Sequence, residues 1–163
     1  MTFEQFARTH MPPMLRFAKV LCGDRALAED VLQEVLIRLH KRWDEIEAIA
    51  RPEAYVRKMI VNEYISWRRK WARVVPVPEV RLLDVVPDHA VNHAERAALI
   101  EDMASLPPKQ RAVIVLRYYG GLSDAQIADT LGCGESTVRA YATRALAALR
   151  VEIRSTSDLG RTS

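Results

Sequence analysis

Two cysteines, Cys22 and Cys133, are all that 163 residues carry, and they stand far apart in unrelated contexts. Neither a Cys-x-x-Cys redox pair nor a zinc set can be drawn from them, so reduced thiols are expected. Long apolar runs are missing as well, since nothing approaches the ~18 residues that span a bilayer. The opening Met-Thr-Phe-Glu-Gln-Phe has neither the basic start nor the apolar core of a signal peptide, and a cytoplasmic protein is expected. Net charge is scarce at +3, so any partner must be argued from where the charge sits. The H-E-x-x-H, P-loop and H-x-E with C-x-x-C patterns are absent. That leaves His40, Asp44, Glu45 and Glu47 as the one conceivable metal set for an enzyme acting on nucleic acid. An acidic loop is the simpler reading, and the expectation is a protein that is not an enzyme and holds no metal or cofactor. Disorder throughout is excluded by 49% hydrophobic residues against 28% charged ones, in a length that suits one domain or two small ones.

What the chain does have is concentrated in residues 57–73. Six basic residues, Arg57, Lys58, Arg68, Arg69, Lys70 and Arg73, are interleaved there with Tyr64, Trp67 and Trp71 and one acid, Glu63. Cations that meet phosphates beside flat rings that stack on bases suit a single strand of nucleic acid. Trp67 and Trp71 as core, with the arginines a solvated face, is the plainer alternative.

The periodicity is helical throughout. Thr2 with Gln5 has the form of a capping box, and Phe3, Phe6, Met14, Phe17, Ala18 and Leu21 recur at helical spacing in a helix that Pro12 and Pro13 should interrupt. Gly23 and Asp24 read as a stop and the next N-cap, followed by a helix from about Arg25 to Trp43 with Leu32, Val35, Leu36, Leu39 and Trp43 inward. The opposite face gathers Asp30, Gln33, Glu34, Ile37 and Lys41. An isoleucine among acids is either a stray exposed apolar residue or the anchor of a docking surface with Asp30, Gln33 and Glu34 as its polar rim. Residues 44–52 break the pattern and read as a loop, and Pro52 opens the third helix at a favoured position.

Residues 74–92, with Pro76, Pro78 and Pro87, read as an interdomain linker whose 19 residues reach ~60 Å when fully extended. A helix from His93 to about Ser105 follows, then Leu106-Pro-Pro-Lys-Gln-Arg111 turning into an apolar helix from Ala112 to Tyr119, closed by Gly120 and Gly121. Ser123 with Gln126 repeats the capping box, Ile127, Ala128 and Leu131 form a short apolar face, and Gly132 stops it. After the turn through Cys133 a last helix runs from about Thr137 to Val151, with Val138, Ala142, Ala145, Leu146 and Leu149 inward and residues 155–163 a frayed tail. Two helices across a small glycine turn make a helix-turn-helix, with a generic helical hairpin as the alternative. Outward at the start of its second helix stand Ser136, Thr137, Arg139, Ala140, Tyr141, Thr143 and Arg144, where arginine can reach phosphates or a guanine edge.

Four motifs in order, Asp30-Val-Leu-Gln-Glu34, Ala54-Tyr-Val-Arg-Lys-Met-Ile-Val-Asn62, Leu106-Pro-Pro-Lys-Gln-Arg111, and Gly121-Leu-Ser-Asp-Ala-Gln-Ile-Ala128 through Thr137-Val-Arg139, resemble the extracytoplasmic-function (ECF, group 4) sigma factors of bacterial RNA polymerase. The Asn62-Glu-x-x-Ser-Trp-x-Arg69 stretch is similar to the actinobacterial SigE-like subset. The resemblance implies an all-α fold of two small helical domains joined by an extended linker: sigma-2 at 1–73, linker at 74–92, helix-turn-helix sigma-4 at 93–154, and the flexible tail.

It also implies function. Asp30, Gln33, Glu34 and Ile37 match the surface that docks on core RNA polymerase. Residues 44–52 and the following helix match the part that captures a flipped minus-10 base on single-stranded promoter DNA, with Asn62 at the pocket and Arg57, Lys58, Trp67, Arg68, Arg69 and Trp71 along the strand. Ser136, Thr137, Arg139, Tyr141, Thr143 and Arg144 fall on the helix that reads the duplex minus-35 element. Ala140, Tyr141 and Thr143 depart from the commoner family residues there, so the promoter sequence is not implied. The resemblance implies an anti-sigma factor as a further partner. A dimeric helix-turn-helix repressor is the alternative, and it would have no use for the aromatic basic helix.

Overall fold

Helix α1, Phe3–Cys22, starts at a reciprocal cap: Gln5 N donates to the Thr2 hydroxyl at 3.2 Å and Thr2 N donates to the Gln5 side-chain oxygen at 3.0 Å. This is the computed structural model of the chain, describing residues 1–71 and 103–159, with side chains described as far as residue 149. The chain divides into two compact units, Met1–Val85 and Val86–Ser163, and every regular element among the described residues is helical.

The expected interruption at Pro12 and Pro13 does not occur, and α1 is one continuous helix. An interior proline forfeits a backbone donor and crowds the preceding turn, at about 3 kcal/mol. Here Phe6 and Ala7 lie buried on one side of the prolines, and Met14, Phe17, Ala18 and Leu21 on the other. Burying side chains of this size contributes about 1.5–3 kcal/mol for each large one, enough to hold a single register across the prolines. Both prolines sit at exposed positions, where water can satisfy the carbonyls they orphan.

Gly23 ends α1 in the left-handed region at φ 69°, and the Asp24 side chain accepts from Ala26 N to start α2, Arg25–Lys41. Leu27, Ala28, Val31, Leu32, Val35 and Leu39 of α2 are buried, whereas Leu36 is half-buried. Residues 44–52 are not wholly a loop, because Trp43–Glu47 forms a short helix, α3. Its acids Asp44 and Glu45 fall in the first turn, where the positive end of a helix favours them, and Ile46 sinks to 1% exposure. Only residues 48–51 stay irregular before α4, Pro52–Trp71, which begins at Pro52 as expected. Val56, Ile60, Val61 and Tyr64 of α4 close the core against α1 and α2.

In the second unit α5, Pro108–Ile114, starts at Pro108 rather than Ala112, because a proline at the first helical turn is preset for it. It runs on through a π-helical turn, Val115–Tyr119, closed by Gly120 N donating to Val115 O at 2.9 Å. The capping box at Ser123 starts α6, Asp124–Leu131, and Gly132 ends it at φ 68°. Arg117, at the π-helical turn, pairs with Asp124 at the start of α6, and that carboxylate holds the guanidinium pKa above its ordinary value. Helix α7, Glu135–Leu159, starts earlier and runs further than expected, taking in 155–159 of the supposed tail. Val138, Ala142, Ala145 and Leu149 pack it on α5 and α6. The linker at 74–92 and most of the helix expected from His93 lie outside the described residues.

Candidate functional site

On α2 the buried stripe leaves Asp30, Gln33, Glu34, Ile37 and Lys41 exposed together on the far side. Ile37 is 46% exposed and borders an open apolar groove of about 530 Å³ lined in part by Met11, Leu15 and Leu36. The polar rim is not loose at every point. Glu34 pairs with Arg38 at 3.2 Å, and Arg38 pairs in turn with Glu63 of α4 at 3.0 Å. Sequence reasoning missed the Arg38–Glu63 half, which crosses between helices and which no periodicity signals, whereas Glu34–Arg38 is an i,i+4 pair on one helix.

Helix α4 does not gather all its candidate residues on one face. At ~100° per residue, Lys58, Asn62 and Arg69 share the outward side, with Asn62 and Arg69 exposed and Lys58 half-buried. Trp67 and Trp71 lie about 140° and more from Asn62, on the line continued from Val56, Ile60 and Tyr64 past the end of the core. Their rings are 5.9 Å apart and tilted by 31°; Trp67 is half-buried and Trp71 46% exposed. Arg57 is half-buried, and the Arg68 guanidinium lies 6.0 Å from the Tyr64 ring centre. The helix thus offers a polar face around Asn62 and, at its C-terminal end, an aromatic pair flanked by cations.

Two of the three acids read as possible metal ligands are otherwise engaged. Glu45 pairs with Arg42 at 2.8 Å, which holds that guanidinium pKa above its ordinary value, and Glu47 pairs with the Met1 ammonium at 2.8 Å. Among the described residues no group of three metal-ligating side chains comes together.

On α7, Ser136, Arg139, Ala140, Thr143 and Arg144 are exposed, while Thr137 and Tyr141 are half-buried. Ser136, Ala140 and Thr143 make a narrow outward line, and Arg139 and Arg144 flank it about 140° apart. Arg139 leans on Glu135 at 3.7 Å, and the Thr143 hydroxyl donates to Arg139 O at 2.9 Å, leaving its oxygen as an acceptor. Small side chains between two cations let a helix approach a groove floor with a positive charge toward each wall.

Residues 6–74 match Sigma-70 region 2 and residues 96–149 match Sigma-70, region 4. The RNA polymerase sigma-E factor of Streptomyces avermitilis is 38% identical over 154 residues, which cover 94% of this chain and 86% of the relative. The ECF RNA polymerase sigma factor SigL of Mycobacterium tuberculosis is 37% identical over 151 residues, covering 84% and 82%. This chain belongs to the ECF sigma factors of the sigma-70 family. As a sigma factor it serves transcription initiation, with region 2 falling on α1 to α4 and region 4 on α5 to α7. A repressor would leave the region 2 match without a purpose. The fold is shared with the sigma factor RpoE of Bartonella quintana, solved with the anti-sigma factor NepR, at a TM-score of 0.70 and 24% identity over 93% of this chain and 96% of that one. It is shared also with CnrH, solved with the cytosolic domain of CnrY, at a TM-score of 0.63 and 20% identity over 94% and 88%. Among the described residues of this sigma factor no helix is long and apolar enough to cross a membrane.

Proposed function

We propose that this sigma factor docks on core RNA polymerase through Asp30, Gln33, Glu34 and Ile37, captures the minus-10 strand with α4, and reads the minus-35 duplex with α7. In this division Lys58, Asn62 and Arg69 form the base-capturing face. Trp67 and Trp71, with Arg68 beside them, stand near the point of strand separation, and Arg57, about 15 Å back along the helix from Trp67, meets the strand further on. On α7, Arg139 and Arg144 approach the groove from its two sides, each long enough to reach a phosphate or a base edge, with Ser136 and Thr143 between them. Thr137 and Tyr141 lie beyond Arg144, about 100° and 140° round the helix from Ser136. Sigma-2 spans 1–73, the linker 74–92 and sigma-4 93–154, with α7 running on beyond it. The protein works in the cytoplasm by binding and positioning and makes no bonds itself. An anti-sigma factor covering the docking faces is its further partner.

Magnitudes assign the division of labour. Opening about ten base pairs at ~1.4 kcal/mol per step costs on the order of 14 kcal/mol. Stacking a base on an aromatic ring returns only ~1–3 kcal/mol. A few captured bases cannot hold a bubble alone, so the polymerase supplies the rest. A promoter spacer of roughly 16 base pairs at ~3.4 Å each spans ~55 Å, within the reach of the extended linker.

The observation that carries the reading is the exposure of Asn62 between Lys58 and Arg69 on a face that the core does not use. Asn62→Ala should lower initiation from a duplex promoter by roughly ten-fold, the worth of one base contact, with unchanged thermal stability and unchanged minus-35 preference. Initiation at the wild-type rate would remove α4 from strand capture.

A further inference from the structure

We infer that Arg38 is a positioning residue that couples the polymerase-docking face of α2 to the promoter-facing helix α4. The inference rests on the docking and strand-capture roles proposed above and adds the device that ties them together. The Arg38 guanidinium forks between two helices: Nη2 lies 3.2 Å from Glu34 Oε1 on the docking face, and Nη1 lies 3.0 Å from Glu63 Oε2 on α4. Glu63 is the residue next to Asn62.

The two ends of the fork differ in surroundings. The side chains of Glu34 and Arg38 are 47% and 52% exposed, whereas that of Glu63 is 19% exposed. Glu34 therefore remains open to a second cation arriving from outside, while Glu63 is sheltered and has more to lose when its cation is shared or removed. In the free protein the two carboxylates divide one guanidinium. A basic side chain on the polymerase that engages Glu34 releases the whole guanidinium to Glu63 and fastens α4 to α2 beside Asn62. By linkage the same contact works in reverse, so that a fastened α4 favours the docked state. Arginine suits the role because its planar fork spans two carboxylates, whereas the point charge of lysine serves one at a time. Partly exposed pairs are weak one by one, so the device modulates strand capture by a few-fold and does not switch it on or off.

The test uses full-length variants with saturating core polymerase on a linear duplex promoter. Open complex is read as permanganate reactivity of unpaired thymines, alongside core affinity and the melting temperature of the free protein. Arg38→Ala and Glu63→Gln should each lower open complex about three-fold, with melting temperatures of the free protein lowered by no more than a few degrees, too little to unfold it at the assay temperature. The double variant should fall no lower than Arg38→Ala alone, because both changes cut one link. Arg38→Lys should be intermediate. The distinguishing readout is the split between binding and opening: Glu34→Gln should lose more in core affinity than in opening by core-bound protein, whereas Arg38→Ala and Glu63→Gln should lose more in opening than in core affinity. Wild-type opening by Arg38→Ala, independent losses from Arg38→Ala and Glu63→Gln, or a loss that follows the melting temperature would overturn the coupling. Asn62→Ala separates this failure from that of the underlying reading. A defect in Asn62→Ala without one in Arg38→Ala refutes the coupling alone, and no defect in either refutes both.

Discussion

Replacing Ile37 tests the docking face with a magnitude that the structure supplies. Fully burying an isoleucine side chain is worth about 1.5–3 kcal/mol, and Ile37 leaves 46% of its surface in water in the free protein. Covering that remainder contributes about 0.7–1.4 kcal/mol, so Ile37→Ala should weaken core binding by roughly 3- to 10-fold. Ile37→Glu should do far worse. It adds a carboxylate beside Asp30 and Glu34 and asks it to lose water on docking, a further penalty of about 2 kcal/mol or more. Neither change touches the buried stripe of α2, so circular dichroism and melting temperature should stay at wild-type values. The assay is a fluorescence-anisotropy titration of labelled protein with core polymerase. Unchanged affinity for Ile37→Glu in a folded protein would refute the argument, and so would a loss of binding matched by a loss of fold.

Two further outcomes are expected. Arg144→Ala should reduce promoter use through the minus-35 element by ~1–3 kcal/mol per lost base contact while leaving core binding intact, and an unaltered minus-35 preference in a substituted-promoter panel would count against α7 as the reader. Gly132→Ala should destabilise the second unit by about 1 kcal/mol through φ strain alone, because no atom stands within 4 Å of the added Cβ. Calorimetry should then show a melting point lowered by roughly 4–8 °C, and no shift would contradict the left-handed cap.

Local chemistry made much of the fold legible. The capping boxes at Thr2 and Ser123 and the glycine stops at Gly23 and Gly132 appear where their residue types put them, because each satisfies a helix end with atoms only a few positions away. The misreadings are places where distant packing overrode local preference. Pro12 and Pro13 lie between two halves of one buried face, and Ile46 draws an acidic stretch into a helical turn by entering the core. The π-helical turn at Val115–Tyr119 has no signature that spacing reveals, yet it explains Gly120, where an added Cβ would lie 2.8 Å from Leu116 O.

The same division holds at the candidate site. Ile37 was visible as an apolar residue on a polar face, and the α7 arginines as outward positions of a capped helix. The separation of Trp67 and Trp71 from Asn62 follows from helical angle, which divides residues 57–71 between two faces although their composition is that of one patch. The Arg38–Glu63 half of the bridge could not be read at all, because it depends on how α2 and α4 pack.

Reconstituted transcription tests the central claim most directly. Purified protein is mixed with cognate core polymerase and a library of duplex upstream DNA, and the 5′ ends of the transcripts are mapped. The account predicts start sites that appear only when the protein is present, each preceded by one shared minus-10 and one shared minus-35 element, together with co-elution of protein and core. No new start sites and no co-elution would contradict it.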